Sequence, residues 1–213
     1  MRASSASLAK TASLTKSSCI TLLLCVLISG CASGPPKKTE NLCAVFSQKS
    51  GWQGAALKQQ KKWGTPMFPA LAIMKQESSF RSEAQPPRRY YLGFIPGPRP
   101  SSAYGYSQAL KGTWKFYIKD TGEYWRKRND FVDALDFINW YMSKTTAENG
   151  VAATDTYRQY LNYHEGWAGY RKGSYKKKQW LPAVARKVAK QADRYAAQYG
   201  ECPKPKRGLF NWW

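Results

Sequence analysis

The chain has 213 residues, with 34 Lys and Arg against 13 Asp and Glu, for a formal net charge of +21. A surplus of that size predicts attraction to polyanions, and nine Trp with fourteen Tyr supply a core with aromatic surface left over for sugar rings. Long internal repeats and Gly-rich phosphate loops are absent, and a lone histidine offers neither a metal set nor a catalytic triad, so no metal or other cofactor is expected.

Residues 1–30 read as an export signal. Arg2, Lys10 and Lys16 give a basic start without an acid, and the apolar run 20–28 is short for a mature membrane-spanning helix. It ends in Ile28-Ser29-Gly30-Cys31, which resembles the bacterial lipobox. That resemblance implies cleavage before Cys31 and lipidation of its thiol, so that acyl chains are the anchor. Ala32 after the lipidated cysteine then favours the outer membrane, facing the periplasm. The alternative is an ordinary secretory peptide with an incidental cysteine. Export changes the reading of the charge. Nucleic acid is the first polyanion to consider for a basic cytoplasmic chain, but an exported one meets wall peptides, anionic glycans and phospholipid headgroups instead.

Residues 31–42 read as the lipidated N-terminus and a short polar linker. The folded domain is expected over 43–202, long enough for one real core. With Cys19 and Cys25 removed with the signal and Cys31 acylated, Cys43 and Cys202 remain. An even pair in an oxidising compartment reads as a disulfide tying the domain's start to its end; two free thiols are the alternative.

The elements that follow are mainly helical. A short helix is expected near 52–62. Pro66 and Pro69 suit the first turn of the next one, which sets Ala70, Ile73, Met74 and Glu77 on one face. Glu77 alone in that stripe is polar. A carboxyl on a buried stripe is costly when charged and has its pKa raised, which is what a general acid needs; a solvated helix end or an ion pair is the plain alternative. Residues 84–103 hold too many Pro and Gly for a helix or a central strand, and a long loop in a compact domain is often functional. Helices are expected again at 110–128, then from an Asp130 cap with Asp133 at the third position (carrying Phe131, Ala134, Leu135, Ile138 and Met142). Another follows from Thr154 or Asp155 with Tyr157, Tyr160, Leu161 and His164. The last runs from near Pro182 to a stop at Gly200, with Val184, Val188, Ala192, Tyr195 and Tyr199 along one side. The tail 203–213 mixes basic and aromatic residues and suits a frayed end, or a contact with anionic lipid or a partner.

Three separated pieces carry a family resemblance. Glu77-Ser78-Ser79-Phe80 resembles the Glu-Ser-x-Phe motif of lytic transglycosylases in the lysozyme-like superfamily. Ser102-Ala103-Tyr104-Gly105-Tyr106-Ser107-Gln108 resembles their Gly-Ala-x-Gly-Leu-Met-Gln segment, and Asn162-Tyr163-His164-Glu165-Gly166 their Ala-Tyr-Asn-Ala-Gly segment. Over roughly residues 60–200 the resemblance implies a lysozyme-like helical fold with a cleft, and peptidoglycan strands as the partner. Glu77 would be the single acid and base that cleaves the bond between N-acetylmuramic acid and N-acetylglucosamine and leaves a 1,6-anhydro end. Ser78 and Tyr163 would position Glu77, while Gln108 and the Ser107 carbonyl would hold the sugar's N-acetyl group. Tyr106-Ser107 in place of Leu-Met, and His164-Glu165 in place of Asn-Ala, depart from the pattern. His164 reads as a structural hydrogen-bonder. Glu165, if it faced Glu77, would open a water-using muramidase mechanism, and a non-catalytic wall-binding lipoprotein is the rival from another class.

Overall fold

In the computed structural model of the chain, residues 34–203 are described. The expected export signal, the lipidated Cys31 and the tail beyond Pro203 lie outside them. The described residues hold seven α-helices: α1 Leu42–Gln48, α2 Trp52–Trp63, α3 Met67–Ser78, α4 Lys111–Thr121, α5 Phe131–Asn149, α6 Thr156–Arg171 and α7 Trp180–Tyr199. A 3-10 turn (Ser174–Lys177) precedes α7, and a two-stranded hairpin, β1 Tyr90–Tyr91 with β2 Ile95–Pro96, interrupts the bundle between α3 and α4. The expected mainly α class is what the chain adopts.

Helix α3 is the spine. Ala70, Ile73 and Met74 are fully buried, as the periodicity predicts, and Leu71 and Ala72 on the other side are buried too. A helix apolar nearly all round must be enclosed by others, and α3 packs against both α5 and α7. Helix α5 begins as expected, with the Asp130 carboxylate accepting the Asp133 amide at 3.0 Å. The stripe Phe131, Ala134, Leu135, Ile138 and Met142 fills the core behind it. Asp155, rather than Thr154, caps α6 by accepting from the Arg158 amide. Between α2, α4 and α5 lies buried Asp136. Burial alone would raise its pKa, but Tyr117, Trp63 and Lys62 all donate to it and hold it below the usual carboxylate range.

Several boundaries differ from expectation. The helix expected over 110–128 ends at Thr121, because Gly122 adopts a left-handed C-cap (φ 72°) and closes onto the Ile118 carbonyl. Beyond it Arg126 pairs with Glu123 and Asp133 instead of continuing the helix. Gly200 stays right-handed (φ −58°), so it does not end α7 by the expected left-handed cap. The chain instead turns on through amide bonds from Glu201 to the Gln198 carbonyl and from Cys202 to that of Tyr199. Helix α7 starts at Trp180, with Pro182 inside its first turn.

Helix α1, capped by the Asn41 side chain on the Ala44 amide, was not expected. The linker expected over 31–42 is docked at its far end. Tyr195 donates to the Thr39 carbonyl, Lys75 pairs with Glu40 at 2.6 Å, and the Leu42 amide donates to Gln198. Just beyond it Cys43 and Cys202 are joined in a disulfide.

Candidate active site

The last turn of α3 delivers Glu77 to a cleft of about 400 Å³. The chain leaves that helix through two consecutive left-handed residues, Ser79 (φ 51°) and Phe80 (φ 58°). Such conformations are costly for non-glycine residues. Here the buried Phe80 ring, 5.7 Å from that of Trp52, and the Arg81 guanidinium on the Ser78 carbonyl hold the corner.

A second corner, residues 103–109, forms the facing wall. Gly105 is left-handed (φ 75°), and a Cβ there would stand 2.0 Å from the Arg128 carbonyl oxygen, so only glycine fits. Its amide donates to the Ala84 carbonyl, and Arg128 ties the corner's two ends by donating to the carbonyls of Ser102 and Ala109. Gln108, also left-handed (φ 50°), turns its side chain inward, and its amide nitrogen donates to the Ala84 and Gly105 carbonyls, each at 2.8 Å. Those two acceptors fix which end of the amide is nitrogen. An incoming group therefore meets the Gln108 carbonyl oxygen.

The third wall is α6. Its helical path breaks at Gly166 (φ 74°, ψ 158°), a conformation nearly confined to glycine. Tyr163, His164, Glu165 and Gly166 line the cleft together with Phe137 and Tyr141 of α5. The Tyr163 hydroxyl donates to the Ser107 carbonyl at 2.6 Å and so bolts α6 to the Gly105 corner.

Glu77 is partly open to this cleft, yet the protein around its carboxyl strips away most of the water. Burial raises its pKa from 4.5 to about 7, against a hydrogen bond from Tyr160 that favours the ionised form. Tyr160 is itself pushed up by burial and by Glu77's charge. Tyr163 is raised well above its ordinary value by burial first and by Glu77's charge second. Replacing Tyr160 by Phe removes the hydrogen bond that favours the carboxylate. The Glu77 titration is then expected to move upward from about 7, by roughly half a unit to one unit for a lost hydrogen bond; the 13C shift of the labelled carboxyl would record it.

Glu165 lies on the same cleft with the opposite character. Burial alone would raise its pKa, but hydrogen bonds from Lys178 (2.6 Å), Ser174 and His164 (2.9 Å) overcome this and hold it at about 2. It is an ionised, compensated carboxylate. His164 is the hydrogen-bonder expected, sharing Nδ1 with Glu165 and resting edge-on against Trp180.

Ser78, expected to position Glu77, is buried, and its hydroxyl donates to the Met74 carbonyl one turn back rather than to the Glu77 carboxyl. Adjacent residues on a helix point about 100° apart and do not face each other. The Ser107 carbonyl accepts from Tyr163, which leaves its second lone pair for the N-acetyl contact expected there, and the Ser107 hydroxyl is buried without a partner among the described residues. Tyr160, which touches Glu77, was read only as part of the α6 core stripe; its position three residues before Tyr163, on the same helix face, was the available signal. Of the Pro- and Gly-rich segment 84–103, Ala103 is the residue that lines the cleft.

A helical bundle with a carboxyl on its central helix, poised near neutrality in a cleft lined by Gln108, Tyr141 and Tyr163, is consistent with the lysozyme-like class of folds. Comparison with protein families narrows this further: residues 19–202 match the family described as the transglycosylase SLT domain, and the chain belongs to that family of lytic transglycosylases. A comparison with curated proteins finds no match.

Proposed function

We propose that this protein is a peptidoglycan lytic transglycosylase in which Glu77 is the single general acid and base. The observation that carries the reading is the contrast between the two cleft carboxyls. Glu77 still holds its proton near neutral pH, whereas Glu165 is ionised and has both oxygens engaged. Only the first can deliver a proton to a departing oxygen. In the first step the Glu77 proton goes to the glycosidic oxygen as its bond to C1 of the muramyl residue breaks. The resulting carboxylate then takes the proton of the muramyl 6-hydroxyl as that oxygen bonds to C1. Glu77 ends protonated, a 1,6-anhydro ring is formed, and no water is consumed. The Gln108 carbonyl oxygen is oriented to accept an N-acetyl N–H, and Tyr160 steadies the charged form of Glu77 between the two steps.

A hydrolytic muramidase would set Glu165 to activate water or to stand opposite the developing cation. Its compensation by Lys178, Ser174 and His164 argues against that. Mass spectrometry of fragments released from purified cell wall separates these readings. Anhydromuramyl ends are expected. Reducing ends would transfer the assignment to a muramidase, and wall binding without release would leave a non-catalytic binder.

Residues 1–31 support an exported protein lipidated at Cys31 and held on the periplasmic face of the outer membrane. Metabolic labelling with a fatty acid, present in the native chain and lost in Cys31→Ala, tests that placement.

A further inference from the structure

The hairpin between α3 and α4 turns its apolar side chains away from the core. Leu92 is 82% and Phe94 72% exposed at its tip, and Tyr90, Tyr91 and Ile95 are exposed behind them. A contiguous exposed apolar patch marks a contact surface, and this one is built at some conformational expense. Leu92 occupies a left-handed turn position (φ 51°) next to Gly93 (φ 79°), where a bulky side chain is disfavoured. The hairpin is nevertheless well fixed. Tyr91 pairs with Ile95 and Tyr90 with Pro96, and the Gly97 amide donates to the Arg89 carbonyl at 2.7 Å. At its base, Arg88 donates to the Gly97 carbonyl and Arg99 to that of Pro86. No Asp or Glu occurs between Glu83 and Asp120.

We infer that this hairpin is a membrane-insertion finger whose ligand is the surface of an anionic phospholipid bilayer. Three layers follow one another along it: aliphatic and phenyl groups at the tip, two tyrosines behind, and an acid-free arginine base. They match in order the acyl boundary, the interfacial zone where amphipathic aromatic rings settle, and the phosphate plane. A glycan strand fits less well. Sugar recognition needs acceptors and donors beside the rings, and residues 84–100 offer no carboxylate and a single amide side chain, Gln85. Nor does any helix of the described residues have the length and apolarity to cross a membrane, so this contact is interfacial. It is separate from Cys31 and from the cleft, and it adds a protein-borne attachment independent of any acyl chain.

The test uses residues 35–203, which fall within one compact unit, contain the Cys43–Cys202 disulfide and leave out both Cys31 and the basic, aromatic tail. Cosedimentation is measured with vesicles of phosphatidylethanolamine and phosphatidylglycerol, and with vesicles of phosphatidylcholine. The native domain is expected to bind the anionic vesicles selectively. The Leu92→Ser/Phe94→Ser protein, whose charge is unchanged, is expected to lose about tenfold or more of that affinity, while its circular dichroism and its digestion of isolated wall stay as they were. Equal binding by the two proteins would reduce the effect to general basicity and overturn the inference. Absence of native binding, or a tip variant defective only in capturing a protein partner, would overturn it as well. Because vesicle binding is read apart from glycan cleavage, a chain inactive on wall would leave a positive result standing.

Discussion

Glu77→Gln is expected to abolish the release of anhydromuropeptides, with a loss of about 10²–10⁴-fold, the usual share of a positioned general acid–base. The side chains are nearly isosteric and an amide can still accept from Tyr160, so the cleft keeps its shape while the transferable proton is gone. The native rate is expected to fall with rising pH through about 7, where Glu77 loses its proton, by about tenfold per pH unit beyond it. Any residual rate of the variant should not follow that limb.

Stability supplies an independent check with the opposite sign. Glu77 titrates near 4.5 when unfolded and at about 7 when folded, so between these values the native state binds the extra proton. Its contribution to stability is whole below pH 4.5 and is lost as pH rises through 7. Above that the folded protein carries a poorly solvated charge that glutamine lacks. The variant should therefore melt at a higher temperature than the native protein at pH 8, with a difference on the order of 3 kcal/mol or less, and at about the same temperature at pH 4. Lost activity together with a lower melting temperature at pH 8 would assign Glu77 a structural role and sink the mechanism.

How much of this was visible in the residues varies with the physics involved. Helix α3 was readable because an unbroken apolar run with one carboxyl has few other solutions, and its Pro66 and Pro69 mark where it starts. The Asp130 cap was readable because capping is a local interaction. Helix α1 was not, since its seven residues are too few for a periodic signal and Asn41 alone marked its start. Residues 123–128 read as the end of the helix expected over 110–128. Yet Gly122 ends the helix, and the pairing of Arg126 with Asp133 is a contact that no local pattern announces. In the site, Glu77 was legible as the one carboxyl on an apolar stripe, whereas Gly105 and Gly166 entered only as members of the motif segments, and their left-handed angles are visible only in the folded chain. Tyr160 was hidden because a tyrosine on a core stripe looks the same whether its hydroxyl meets the interior or a cleft carboxyl. The Ser78 role came from the motif resemblance alone, and the bond its hydroxyl makes back to the Met74 carbonyl is one the motif does not announce.

Replacing Cys43 and Cys202 together by Ser is expected to give the largest loss of stability of any change that spares the cleft. The bond closes a loop with a sequence separation of 159, and the chain-entropy account puts such a constraint at about 4–5 kcal/mol, nearly all of it acting on the unfolded ensemble. The native contacts around it should survive. Glu40 pairs with Lys75 and Arg194, the Leu42 amide reaches Gln198, and Tyr195 holds Thr39, so α1 stays docked on α7 without the cross-link. The folded spectrum should accordingly be unchanged, and urea unfolding should show a lower midpoint with a slightly steeper slope, because an uncrosslinked chain exposes more surface when it unfolds. Neither α1 nor α7 supplies a residue to the cleft lining. Wall digestion well below the melting temperature is therefore expected to proceed at the native rate, with the loss confined to thermal inactivation. If the midpoint stayed put, the entropy argument would fail for this bond. If digestion fell in step with a native-like spectrum, the positions of α3 and α6 in the cleft would depend on the clamp between the chain's ends.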